Sequence, residues 1–221
     1  MDTKVYARRR PEGGFSLLEM MIVIGIISIA AGLSIPQVIG ARRALRATSL
    51  VRELSGGLRD ARQMALSRRR AITFQYDDAT KQVNIIDHGT NADGLGISGV
   101  DVLTDGNYPD TTNSSVASTA SLIASGLPAA EIKYGVPSDV PTAARTLGDK
   151  TTLTALTDER LNITFQPDGT IIGTTGVHSN VAFAIYNSVQ PHGTAAAISI
   201  LGATGRVKVW RYSDSAQKFV E

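Results

Sequence analysis

The hydrophobic positions change period twice along this chain. From Phe15 to Ile35 they run almost unbroken, FSLLEMMIVIGIISIAAGLSI, 21 residues interrupted by one charge, Glu19. At about 1.5 Å per helical residue, that length matches the roughly 30 Å hydrocarbon core of a bilayer. A soluble core seldom needs so long a helix that is apolar on every side, so residues 15–36 are expected to cross a membrane once. A removable secretory signal, with Ser28-Ile29-Ala30 as a small-x-small cleavage site, is the competing reading. Against it, the apolar run continues to Ile35 and contains an acid.

Beyond Pro36 and Gly40 the spacing becomes three and four: Ala47, Leu50, Leu54, Leu58, Ala61, Ala65. This predicts an amphipathic helix over residues 37–70 whose narrow stripe packs on a sheet. Its arginine-rich outer side reads as a solvated face, with anionic lipid headgroups near Arg42–Arg46 or neighbouring subunits as sharper alternatives. Gly56-Gly57 weakens the helix and allows a kink.

From residue 71 the period is two. Ala71–Tyr76 and Gln82–Ile86 flank a polar loop and predict a hairpin. Leu161–Gln166 and Thr170–Gly173 flank Pro167-Asp168-Gly169, where proline presets the turn and glycine supplies the positive φ. Val181–Tyr186, Ala195–Leu201 and Arg206–Tyr212 complete a late run of short strands. One long helix followed by such strands predicts an α+β fold with antiparallel sheets over residues 71–221. Residues 111–125 hold eight Ser or Thr, and the wider segment 105–130 reads as a flexible surface insertion.

Charge sharpens this segmentation. Residues 42–70 carry nine Arg against Glu53 and Asp60, a net +7, whereas residues 71–221 are net acidic at −6. The chain has no Cys, which excludes disulfides, thiol nucleophiles and thiolate metal sites. His88, His178 and His192 fall in no metal-ligand spacing and read as surface or turn residues. The pairs Asp77-Asp78 and Asp158-Glu159 are adjacent, so they make poor acid/base couples. Asn91-Ala92-Asp93-Gly94 lacks the acidic first position and distal Glu of a calcium loop. No phosphate loop or nucleophile elbow is present in the sequence, so no enzyme activity, cofactor or metal is expected.

Glu19 is the most informative single residue. An ionisable group within a bilayer costs about 2.5–3.5 kcal/mol on insertion scales, so it needs a partner or a role. Either it reaches the headgroup region, or it pairs with a positive charge from another chain or from a processed N-terminus.

These residues carry a resemblance. Arg8-Arg9-Arg10-Pro11-Glu12-Gly13-Gly14-Phe15-Ser16-Leu17-Leu18-Glu19, followed by the uncharged run Met20–Ile35, resembles a type IV prepilin leader and its membrane helix. The resemblance implies a leader over residues 1–14 and cleavage between Gly14 and Phe15 by a prepilin peptidase, with N-methylation of Phe15. It further implies an assembly role for Glu19 and a helix bend at Pro36. The order Ile163-Thr164-Phe165-Gln166-Pro167-Asp168-Gly169-Thr170, then Leu201–Val209, is similar to the domain of H-type (GspH/FimT) pseudopilins and minor pilins. The implied fold is pilin-like: a long N-terminal helix, half transmembrane and half amphipathic, packed on antiparallel β-sheets.

The implied function is that of a minor pseudopilin of a type II secretion pseudopilus. Its partners would be other pseudopilins or pilins and the inner-membrane assembly platform. It would be anchored by one pass in the bacterial inner membrane, with the C-terminal domain in the periplasm. The alternative is a FimT-like minor pilin of a type IV pilus, acting in pilus biogenesis or DNA uptake. For DNA, strand alternation puts Arg206, Lys208 and Trp210 on one face, where cations and a stacking ring would meet a nucleic acid, with Arg211 nearby. DNA-capturing minor pilins carry Gly-Arg-x-Arg in this region, and here Lys208 stands for the second Arg. Cations that guard a strand edge are the plainer reading, so nucleic acid is the less favoured partner. A membrane-tethered periplasmic enzyme is a third, weaker reading.

Overall fold

The computed structural model describes residues 15–89, 115–173 and 176–221. The leader with Gly14, the Asn91–Gly94 stretch and residues 105–114 of the expected insertion lie outside them. A continuous helix, α1 (Leu17–Arg68), opens the structure. It is followed by β1 (Ile72–Asp77), β2 (Gln82–Asp87), β3 (Ser115–Ser121), β4 (Ile132–Tyr134), β5 (Arg160–Phe165), β6 (Val181–Asn187), the one-turn helix α2 (Pro191–Thr194), β7 (Ala196–Leu201), β8 (Arg206–Ser213) and β9 (Lys218–Val220). A long N-terminal apolar helix followed by antiparallel β-sheets is thus the architecture found, as expected.

Two compact units divide within α1, Met1–Ala41 and Arg42–Glu221. In the first, the apolar run forms a helix long and apolar enough to cross a membrane, and none of that stretch is buried among the described residues. Ser28 Oγ and Ser34 Oγ each donate to the carbonyl four residues back, at 2.8 Å, which leaves the outside of the helix apolar.

In the second unit, two antiparallel sheets enclose the rest of α1. One has the order β3-β2-β1-β5 and the other β4-β6-β7-β8-β9. The 3.6-residue stripe has become the core. Leu54, Leu58, Ala61 and Ala65 are fully buried, and they join one cluster with Phe74, Ile163, Phe165, Phe183, Ile198 and Ile200 from both sheets. Burying a side chain the size of Leu or Phe contributes about 1.5–3 kcal/mol, so the stripe and its partners dominate the stability of this unit. The helix does not break at Gly56-Gly57, because the Gly57 backbone lies against Phe74; a Cβ there would sit 3.2 Å from its ring. A smaller cluster on the other side of the five-stranded sheet gathers Leu147, Ala182, Ala184, Ala197, Trp210 and Phe219.

The hairpin, β5, β6, β7 and β8 form within a residue or two of their expected positions. Three expectations change. Ser115–Ser121, inside the expected flexible insertion, is strand β3, bonded to β2 along its length; a run of Val, Thr and Ser suits an exposed edge strand. Thr170–Gly173 forms no strand, only isolated bridges from Ile171 to Phe165 and from Ile172 to His178. His88 is fully buried rather than at the surface, with Nε2 2.7 Å from Thr73 Oγ1.

Candidate assembly site

The first turn of α1 is built by Ser16. Its side-chain oxygen accepts the backbone N–H of Glu19 at 3.3 Å, and its carbonyl accepts that of Met20 at 3.1 Å. Ser16-Leu17-Leu18-Glu19 therefore has the Ser-x-x-Glu spacing of a helix start, a local signal that the reading of Glu19 as a membrane charge overlooked. The carboxylate gains from the helix dipole at this end, about 0.3–1 kcal/mol. Glu19 stays exposed, and among the described residues it forms no ion pair. Just before it, Phe15 is 77% exposed. Around and below are exposed Leu18, Met21, Ile22, Ile26 and Ile29, with open space at Gly25 and Gly32. Pro36 lies within the continuous helix.

The arrangement is an apolar rod with one carboxylate in its first turn, and nothing among the described residues binds either. In a lipid environment such a carboxylate is satisfied by a cation brought close by another helix. Small residues at Gly25 and Gly32 let a second backbone approach.

The expected nucleic-acid strand is β8, and its residues do not converge. Alternation holds: Val207 and Val209 pack toward the core beneath α1, while Trp210 belongs to the smaller cluster on the opposite face. Trp210 is only 6% exposed, and its Nε1 donates to Ser199 Oγ at 2.8 Å, so no ring face is offered to a base. Lys208 Nζ is paired with Glu221 at 2.9 Å and lies over the indole at 5.2 Å. The adjacent Asp149 is held below the usual carboxylate range. Burial works against this, but hydrogen bonds from Ser199 and Thr151 and the charge of Lys208 outweigh it. Arg211 points the other way, with its guanidinium 3.5 Å from Thr48 on α1. Arg206 and Arg211 are exposed and form no ion pair among the described residues, but they lie on opposite faces of the strand, so the expected cations do not converge on one phosphate.

The arginines of residues 42–70 also depart from expectation, because five of the nine are bonded to groups of the β-rich region rather than only solvated. Arg43 pairs with Glu131, Arg46 Nη1 donates to the Gly126 carbonyl at 2.7 Å, and Arg68 and Arg70 both pair with the buried Asp87. Arg62 is the most consequential. Its Nε donates to the Gly169 carbonyl at 3.2 Å and its Nη2 to the Thr204 carbonyl at 2.9 Å. It thereby joins the Pro-Asp-Gly turn to the β7–β8 turn, two motifs far apart in sequence. Gly169 and Gly205 both have positive φ, 78° and 62°, and a Cβ on Gly205 would lie 2.0 Å from the Gly169 carbonyl oxygen. Only glycine fits where these two turns touch.

Comparison with known proteins agrees with the head of the chain. Residues 9–35 match the family model described as the prokaryotic N-terminal methylation motif. That match covers the start of the continuous apolar helix, so the head of the chain is prepilin-like. Among solved structures it is similar to the type IV minor pilin FimU of Pseudomonas aeruginosa in two crystal forms, each at 20% identity over 79% of this chain. The likeness spans 92% and 97% of those chains, with TM-scores of 0.41 and 0.39. No curated protein matches the sequence.

Proposed function

We propose that this chain is a non-enzymatic minor subunit of a pilin-like filament, and specifically a minor pseudopilin of a type II secretion pseudopilus. Prepilin peptidase removes residues 1–14 and methylates Phe15. The new amine of one subunit and Glu19 of its neighbour then neutralise each other among packed apolar helices. The helix anchors the chain once in the bacterial inner membrane, and residues 71–221 fold in the periplasm. The observation that carries this reading is Glu19, without an ion pair among the described residues, in the first turn of an exposed apolar helix, inside the segment that matches the methylation motif. The narrower, H-type reading is supported by the Arg62 junction, which gives one structural purpose to both turn motifs of that resemblance.

The test is incorporation. Filaments sheared from cells carrying Glu19→Ala should lack the subunit while its membrane level is unchanged. Wild-type incorporation of the variant would overturn the proposal.

A further inference from the structure

His192 lies on α2, the short connection between β6 and β7, and both of its ring nitrogens are engaged. Nδ1 contacts Asp214 in the β8–β9 turn, and Nε2 lies 2.6 Å from Asp139 Oδ2, in the segment leading out of β4. The ring meets Tyr212 edge-on at 5.4 Å, and Tyr212 meets Phe219 at 5.5 Å. A neutral imidazole has one N–H and can donate to one carboxylate only, leaving its other nitrogen lone pair facing the second. An imidazolium donates to both. The three-way contact is complete only in the protonated form.

What this contact restrains is the segment 137–149, which covers the outer face of the five-stranded sheet. Leu147 closes the smaller core cluster, and Gly148 lies so close to the indole of Trp210 that a Cβ there would be 3.0 Å from the ring. The same segment, through Thr142, Arg145 and Thr146, walls an open groove of about 620 Å³ whose other lining includes Tyr134 and Leu153.

We propose that Asp139, His192 and Asp214 form a pH-operated clamp, which holds the 137–149 segment on the sheet when His192 is protonated and frees it when His192 is neutral. The charged groups facing the ring are the two aspartates, and Tyr212 is the other titratable group in contact. Hydrogen bonds that the ring N–H groups donate to Asp214 and then to Asp139 raise the His192 pKa above its ordinary 6.5, and the same bond lowers that of Asp139 below 3.8. A raised histidine contributes its stabilisation below the unfolded value, near 6.5, and loses it as pH climbs through the folded value. At the acid end the Asp139 arm of the clamp is lost once that carboxylate is protonated, below its ordinary range. The aspartates are largely exposed, at 64% and 66%, so salt screens the contact and its release opens the segment without unfolding the domain.

Trp210, the chain's single tryptophan, reports on the opening. With the full-length chain in lipid nanodiscs, acrylamide quenching of Trp210 should rise about twofold as pH climbs from 5 to 9, as local opening predicts. The step should shrink at high salt. In His192→Gln the step should vanish, with quenching at every pH like that of the wild type at pH 9. Asp139→Asn should raise quenching at pH 5. A flat wild-type profile, or an equal step in His192→Gln with native circular dichroism, would overturn the clamp.

Discussion

Gly205 and Gly169 show what single residues do in this fold. Both take left-handed backbone, but Gly205 also presses on another turn. Gly205→Ala is therefore expected to cost about 2–4 kcal/mol, adding a clash to backbone strain. Gly176→Ala, where φ is 74° and the space is open, should cost only about 1 kcal/mol. Urea denaturation of the two variants separates crowding from conformation, and equal losses would refute the close contact. Leu58, fully buried between α1 and the sheets, should lose about 2–5 kcal/mol on Leu58→Ala. Glu19 is different in kind, since its first-turn position contributes to the helix start yet leaves its charge available to another chain.

Among elements, α1 and the hairpin β1–β2 were legible because period alone decides them. The stripe Ala47–Ala65 names the buried face, and a polar loop between two alternating runs names the turn. The edge strand β3 was not legible, since Ser115–Ser121 buries almost nothing and so leaves no period in its side chains; what defines it is backbone pairing with β2. The arginines of α1 were misjudged for a related reason. Whether a cation is solvated depends on carbonyls and acids that only the folded chain brings near, such as Gly169, Thr204 and Asp87. Arg62→Ala should loosen both turns at once, costing about 1–3 kcal/mol and raising amide exchange at Gly169 and Gly205 together. Exchange raised at one turn alone would show that Arg62 does not couple them. For β8, alternation was read correctly, but burial of Trp210 and capture of Lys208 by Glu221 were beyond the sequence. The full chain is accordingly expected to give no salt-dependent shift of DNA in a gel. A shift lost in Arg206→Ala would contradict this reading of β8.

At the scale of the molecule, two chemistries are joined in one chain. Among its described residues one unit offers an apolar helix and a single carboxylate, a surface suited to packing beside other helices. The other is a self-sufficient core of a helix stripe and two sheets, whose surface carries the groove and the His192 clamp. In the proposed function the two parts act separately, and substitutions in the body are expected to leave processing unchanged. Processing is the step on which assembly depends, because the amine that Glu19 is proposed to meet does not exist until the leader is cut. Mass spectrometry of the mature N-terminus, on the chain recovered from cells with an active prepilin peptidase, tests this most directly. The account predicts a chain that begins with N-methylated Phe15; a chain beginning at Met1 or at Ala31 would contradict it.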